Sequence, residues 1–362
     1  MTIKNKIFLI GNGFDIAHNF KTKFSDFAEY YIENRIIPEL INAIRNRQRS
    51  HTLFNSTFLT KLAQKAGGVI RENNYEDMIW NYSRGNKTEN LKKYLHDNYN
   101  TLNLVLTNSL MARLYSGTDK NWFDIENIYF KELVVLKNQA LKNPSNFDIE
   151  NLEKLNTEFS LIKVAIKDYL NTLKIETDEV IGNFLSYHFK NVDSAYVVNF
   201  NYTSTVTQYI EKSEKISVNH IHGSLEEDYI IFGYGNDQND DYQEIKALGI
   251  DEFLRHFKTF DYLNNMNYDL IQSEALEKYD EYEVFILGHS LGLTDKTLLS
   301  EILNSHKCKK IHFFKRKDFE DNPQKVKDLF RQLIYSASRI ITNEKSLRRR
   351  VINFEKSIFF PN

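Results

Sequence analysis

Histidine and asparagine side chains standing beside glycine are the residues of this sequence best suited to chemistry. His220-Ile-His-Gly-Ser224 holds two imidazoles two residues apart, and on an extended segment both rings turn to the same side. An imidazole titrates near neutral pH, so His222, at a strand end beside Gly223, suits general acid–base work. A histidine held there for structure is the alternative. Two such rings could also bind a metal, but no third ligand of the right type is evident nearby, and no metal is expected. Asn199-Phe-Asn-Tyr-Thr-Ser-Thr205 follows an apolar run. It puts Asn201 at the carboxyl end of a strand, where open α/β sheets bind ligands. Asn does not titrate, so its part is geometric. Thr203 or Ser204 is placed to cap a helix from Thr205 onward.

Glycine is scarce, 13 residues in 362, and windows 11–13, 223–235 and 288–292 hold seven of them. Glycine gathers where backbone turns sharply or approaches a ligand. Ile10-Gly-Asn-Gly-Phe-Asp15 ends an apolar run in Gly-x-Gly, the way Rossmann-like folds bring backbone N–H groups to a pyrophosphate. Ile16 stands where a third glycine would complete that fingerprint, so a tight strand-to-helix turn accounts for the pair equally well. Gly288-His-Ser-Leu-Gly292 matches Gly-x-Ser-x-Gly, the nucleophile elbow of α/β-hydrolases. A hydrolase then needs an acid and a histidine later in the chain, in that order. Only His306 and His312 follow, and His306 comes 16 residues after Ser290, before the next strand, in a remainder of chain short for the two further strand-end loops a triad needs, so Ser290 fits a phosphate- or ribose-contacting loop better than a nucleophile. Phe232-Gly-Tyr-Gly-Asn-Asp237 is a further strand-end turn. Asp237, Asp240 and Asp241 beside it read as a solvated loop, because the closing Glu pattern of a calcium loop is missing.

The elements that must position these residues are short apolar runs. Residues 6–10, 196–200, 218–222, 229–232, 283–287 and 310–314 read as strands, most of them apolar throughout as in a buried parallel sheet. Helical patterns fall between the later ones, over Asp295 to His306 and from Asn322-Pro323, where Asn caps and Pro opens the first turn. Strand–helix alternation makes the fold class α/β with a parallel sheet. The middle differs. Leu152, Leu155, Phe159, Ile162, Ile166, Tyr169, Leu170 and Leu173 keep helical spacing, a second helix begins near Thr22, and Gly67-Gly68 and Asn143-Pro-Ser-Asn146 are breaks. Residues 1–20 and 190–362 thus form the core, and 21–189 a helical insertion expected to lie as a lid over the carboxyl ends of the strands.

Composition narrows the class. Basic residues number 47 and acidic 49, a net charge of −2, so no global field draws nucleic acid or an anionic membrane. Arg348, Arg349 and Arg350 form the one sharp basic run and read as a solvated helix end. Cys308 is the sole cysteine, which excludes internal disulfides and multi-cysteine metal sites. The N-terminal apolar run is too short for a signal peptide and no stretch of 18 apolar residues occurs, so a soluble, cytoplasmic protein is expected.

Taken together, these segments resemble the bacteriophage abortive-infection AbiH family. The resemblance is carried by Phe-Leu-Ile-Gly-Asn-Gly-Phe-Asp-Ile-Ala-His at 8–18, Phe-Asn-Tyr-Thr at 200–203, His-Ile-His-Gly at 220–223, Ile-Phe-Gly at 231–233 and Gly-His-Ser-Leu-Gly-x-x-Asp at 288–295. Tyr75-Glu-Asp77 echoes an aromatic-Asp element of that family. The same segments also look like a remote version of the sirtuin NAD-binding core. That likeness implies a Rossmann-like (sirtuin-like) sheet, with Asn201 on the catalytic Asn and His222 on the catalytic His. Gly11, Asn12, Gly13, Phe14 and Asp15 fall on the phosphate loop, Gly223 beside the histidine, and Gly288, His289, Ser290 and Asp295 on the second phosphate and ribose loop. The sequence departs from sirtuins where Thr203 replaces Asp, and the cysteine-bound zinc module has no counterpart, so protein deacylation is excluded. The two resemblances imply a phage-defence effector that hydrolyses the nicotinamide–ribose bond of NAD and needs no further cofactor. A sensor of NAD, ADP-ribose or a related nucleotide is the alternative. A phage-derived trigger and a homo-oligomer are expected partners, nucleic acid is not.

Overall fold

Five apolar runs become strands β1 (Asn5–Ile10), β2 (Ser194–Asn199), β3 (Ile216–His220), β4 (Tyr282–Leu287) and β5 (Cys308–Phe313). They hydrogen-bond as one parallel sheet in the order β3-β2-β1-β4-β5. The structure is a computed structural model and describes residues 3–38, 110–111, 113, 122–190, 192–210, 214–227 and 229–361. The Gly67-Gly68 break and Tyr75-Glu-Asp77 lie outside the described residues.

The apolarity of the central strands β1, β2 and β4 follows from their burial on both faces, whereas the edge strands β3 and β5 carry Ser217, Asn219, Lys309 and Lys310. Alternate residues serve different cores. Ile7, Leu9, Tyr196, Val198, Val284 and Ile286 pack with Leu298, Leu299, Ile302 and Phe330 on one face. Phe8, Ile10, Val197, Phe285 and Leu287 pack with Phe14, Ile181, Leu185 and Val206 on the other. The chain runs from β1 outward through β2 and β3, then returns to β1 and continues on its other side with β4 and β5. The turn of direction between β1 and β4 is a topological switch point, and there the loops after two neighbouring strands leave toward opposite faces and open a crevice.

Helices form as their caps and periodicity dictate. The helix Pro323–Ser338 starts at Asn322, whose side chain accepts from the Lys325 N–H. The helix Ile149–Leu170 follows the spacing of its apolar residues, and a 3-10 turn at Pro144–Asn146 separates it from the helix Trp122–Lys142. Near the start, the helix Phe24–Tyr31 runs on into a π-turn at Ile32–Ile36. Arg348, Arg349 and Arg350 end the helix Glu344–Arg350, where cations complement the partial negative charge of a helix C-terminus.

Residues 229–232 depart from expectation. They form no strand: Ile230 makes one isolated bridge to Gly223, and Ile231 donates its N–H to the His222 carbonyl at 2.8 Å. Ile230, Ile231 and Phe232 are all buried. An apolar run reports burial, and here a folded-back loop supplies it without a ladder. Thr203 and Ser204 also do not cap the turn that follows. A 3-10 turn at Val206–Tyr209 begins from Thr205 with no side-chain cap, because both hydroxyls are engaged elsewhere: Thr203 donates to Asp15 and Ser204 to Glu226.

The chain divides into two compact units, one of residues 1–22 and 170–362, the other of 23–169. The helix Glu179–Phe189 belongs to the sheet unit, and the Phe189 ring lies 4.9 Å from Phe8 of β1. The second unit is helical among its described residues. Among the described residues, no helix is long and apolar enough to cross a membrane.

Candidate functional site

The loops after β1, β2 and β4 meet at the switch point. Asn201 donates its side-chain N–H to the Gly11 carbonyl at 3.1 Å, and its backbone N–H to Asn199 Oδ1 at 3.1 Å. Gly13 donates its N–H to the Gly288 carbonyl at 2.9 Å. Gly11, Asn201 and Gly288 are thus neighbours at the carboxyl ends of adjacent strands.

The glycines of this junction are needed for close approach of backbone to backbone. A Cβ on Gly11 would fall 2.5 Å from His289 Cα, and one on Gly13 would fall 2.8 Å from Gly288 Cα. Gly288 has φ +75°, and a Cβ there would strike the Phe14 nitrogen. The amides of the first turn are engaged as well: Gly11 N–H on the Leu287 carbonyl at 3.0 Å, Phe14 N–H on Gly11 at 2.8 Å. Asn12 donates its side-chain N–H to the Thr22 carbonyl. Asp15 is buried, and its Oδ2 accepts from the Thr203 hydroxyl at 2.6 Å, whereas Oδ1 has no hydrogen-bond partner among the described residues. Burial pushes its carboxyl up to about 6, with the Thr203 hydroxyl pulling the other way.

His222 stands one residue before Gly223, whose φ of +76° makes the turn out of the His220–His222 segment. The His222 Nε2 lies 3.1 Å from the Tyr262 hydroxyl and 3.3 Å from Asp295 Oδ1. The same Oδ1 accepts from the Lys258 ammonium at 2.7 Å. His289 completes the group, its Nε2 3.7 Å from Asp295 Oδ2. Because His289 Nδ1 accepts the Leu291 N–H at 3.0 Å, any proton on the neutral ring sits on Nε2, facing the carboxylate. The Phe200 ring neighbours both imidazoles, its centroid 4.2 Å from that of His289 and 5.3 Å from that of His222. Lys258 is 1% exposed and His222 5%, so this is a buried ionic cluster.

Burial holds His222 below the usual histidine range, and the Lys258 ammonium adds to it. Burial alone would raise Asp295, but Lys258 and the two imidazoles hold its carboxyl well below the usual range. The cluster therefore offers a neutral imidazole backed by an ionised carboxylate, the arrangement of a positioned general base. Among the described residues, no group of three or more His, Cys, Asp or Glu is placed to hold a metal ion.

His220 lies apart, its Nδ1 3.3 Å from the Asn199 side chain. Ser290 is exposed and its hydroxyl forms no hydrogen bond among the described residues. In its loop the positive φ falls on Gly288 and Leu291, not on the serine, which is not the geometry of a nucleophile elbow. Asp240 and Asp241 occupy the first turn of the helix Asp240–Ala247, capped by Asn239, where acids complement the helix N-terminus. The sequence reading passed over Lys258 and Tyr262. Neither adjoins glycine or ends a predicted strand, and no sequence signal marks either.

No curated protein and no solved structure matches the chain. Residues 7–316 match the family model described as Bacteriophage abortive infection AbiH. The match takes in β1 from Ile7 onward, the other four sheet strands, the Gly11–Asp15 turn and the whole ionic cluster, and the chain belongs to the AbiH family of bacteriophage abortive-infection proteins.

Proposed function

We propose that this chain is a phage-defence effector that hydrolyses the bond between nicotinamide and ribose in NAD. Membership of an abortive-infection family supports the defence role. The observation that carries the chemistry is the buried His222 imidazole against Asp295, beside the turn where Asn201 ties the β2 loop to Gly11. The strand order 3-2-1-4-5 around a switch point is that of Rossmann-like sheets, which supports a nucleotide there.

In this reading the bond from nicotinamide nitrogen to ribose C1′ breaks, and its electron pair leaves with nicotinamide, whose pyridinium becomes neutral. Water forms the new bond to C1′ and loses a proton. The sugar passes through oxocarbenium character, so fixed dipoles and a positioned water matter more than strong acid catalysis. A proton on His222 Nε2 faces Asp295 Oδ1, which leaves Nδ1 to take the proton from water or from the 3′-hydroxyl. Asn201 orients the ribose and the water. Gly11, Gly13 and Phe14 already spend their amides on protein carbonyls. The phosphates then fall to Gly288 and Ser290, which are exposed on either side of the buried His289.

A second reading, a sensor that binds NAD or ADP-ribose without cleaving it, is favoured by one observation. His222 is 5% exposed, so a substrate reaches it only when its cover shifts. Release of nicotinamide from NAD by the purified full chain, with and without a phage lysate, tests the proposal. Turnover lost on His222→Ala supports it, and binding of NAD with no release in either condition turns the assignment to the sensor.

A further inference from the structure

The residue that ends β2 is a carboxamide in an otherwise aliphatic and aromatic run. Tyr196-Val-Val-Asn199-Phe200 is buried throughout, and Asn199 is 1% exposed. A valine or leucine would bury there without the cost of taking a carboxamide out of water. Hydrogen bonds to the loop that follows offset that cost. Asn199 Oδ1 accepts the Asn201 N–H at 3.1 Å, and Nδ2 donates to the Thr203 carbonyl at 3.0 Å. Nδ2 also lies 3.3 Å from His220 Nδ1, at the end of β3.

The carboxamide can stand only one way round. A backbone N–H donates and a carbonyl accepts, so the oxygen faces Asn201 and the nitrogen faces Thr203. An ionised Asp at this position would set an oxygen against the Thr203 carbonyl, and Leu would make neither bond. The two residues held in this way are the ones that reach the first turn. Asn201 donates its side-chain N–H to the Gly11 carbonyl at 3.1 Å, and the Thr203 hydroxyl donates to Asp15 Oδ2 at 2.6 Å.

We infer that Asn199 is a positioning residue, which fixes the backbone at 201 and 203 so that Asn201 is presented at the Gly11 turn. Its part in the reaction rests on the proposal that Asn201 orients the ribose and the water, and its part in the loop does not. The strands around it pair without its side chain: Phe200 donates its N–H to the Ile10 carbonyl at 2.9 Å, and Ile221 donates its N–H to the Asn199 carbonyl at 3.1 Å. Removing the carboxamide therefore loosens the loop before the sheet.

Hydrogen exchange in the full chain tests this. With 15N-asparagine labelling, Asn199→Asp identifies the side-chain NH2 pair of Asn199, and Asn201→Ala identifies the Asn201 amide. In wild type both are expected to exchange slowly, although Asn201 lies beyond the end of β2. Either one exchanging as freely as an exposed asparagine overturns the inference whatever any variant does. Asn199→Leu keeps the branched shape and removes the bonds. The Asn201 amide should then exchange about five- to tenfold faster, while the amides of β1 and β2, read by mass spectrometry, change less. An unchanged Asn201 rate in the folded variant, or an equal rise through β1 and β2, overturns the inference. If Asn199→Leu does not fold, Asn199→Ala relieves any crowding and carries the same expectation.

Where NAD is cleaved, turnover at saturation in Asn199→Leu should fall by roughly tenfold while KM changes less, because orientation is lost and not affinity. Wild-type turnover beside a faster Asn201 amide removes Asn199 from the reaction. Absence of nicotinamide release with the exchange pattern intact sinks the reaction proposed above and leaves Asn199 as the residue that holds Asn201.

Discussion

The Gly13 N–H donates to the Gly288 carbonyl at 2.9 Å, and a Cβ on Gly13 would stand 2.8 Å from the Gly288 Cα. Two loops that follow neighbouring strands are thereby zipped together through glycines. Gly288→Ala should lower stability by about 1–3 kcal/mol for its left-handed backbone, before any loss from the clash with Phe14. Urea unfolding measures this. A Gly288→Ala chain of wild-type stability that fails to bind NAD would show the glycine serving ligand approach instead.

His222→Ala and Asn201→Ala should each abolish NAD cleavage, and the double variant should lose little more, because both act on one transition state. Asn201→Ala should also cost about 0.5–1.5 kcal/mol of stability, for the bond to Gly11 that it removes. His220→Ala should keep activity. Steady-state nicotinamide release and thermal unfolding on the same samples separate the two effects. Wild-type turnover in both single variants would dismiss these residues from the reaction.

Ser290→Ala should weaken nucleotide binding by one hydrogen bond, about 0.5–1.5 kcal/mol, and leave turnover at saturation in place. The exposed hydroxyl has no base bonded to it among the described residues, so a fluorophosphonate probe should not label the chain. A stable serine adduct at Ser290 would reinstate the hydrolase.

Asp15 makes stability depend on pH in an unusual direction. Its carboxyl is raised from 3.8 to about 6 by burial, so between those values the folded chain holds a proton that the unfolded chain has released. Stability from this group is full below the unfolded value and lost as pH rises through 6. At about 1.36 kcal/mol per unit the loss approaches about 3 kcal/mol. Asp15→Asn keeps an acceptor for the Thr203 hydroxyl and removes the charge. It should raise the melting temperature at pH 7.5 and bring little gain below pH 4. A variant less stable than wild type at both pH values would assign the ionised carboxylate a favourable partner.

Much of the fold is readable from local chemistry. The apolar runs 6–10 and 283–287 can be satisfied only by burial on both faces, and they became β1 and β4. Asn322 and Pro323 set a helix start because a cap and a fixed φ act within one turn. The stretch 229–232 shows the limit of such reading, since burial without pairing leaves the same pattern as a strand.

The sequence alone determined the family pattern, the parallel strands and the end of the sheet at which Asn201 and His222 stand, because apolar runs, glycine turns and caps act over a few residues. Only the tertiary structure decided who meets whom. Lys258 and Asp295 are 37 positions apart, Thr203 and Asp15 188 apart, and no periodicity links either pair. Gly11 and Gly13 look in sequence like a loop for phosphate, yet their small size is also required by the backbone of residues 288 and 289. A glycine records that something comes close. What comes close depends on which strands the topology sets side by side.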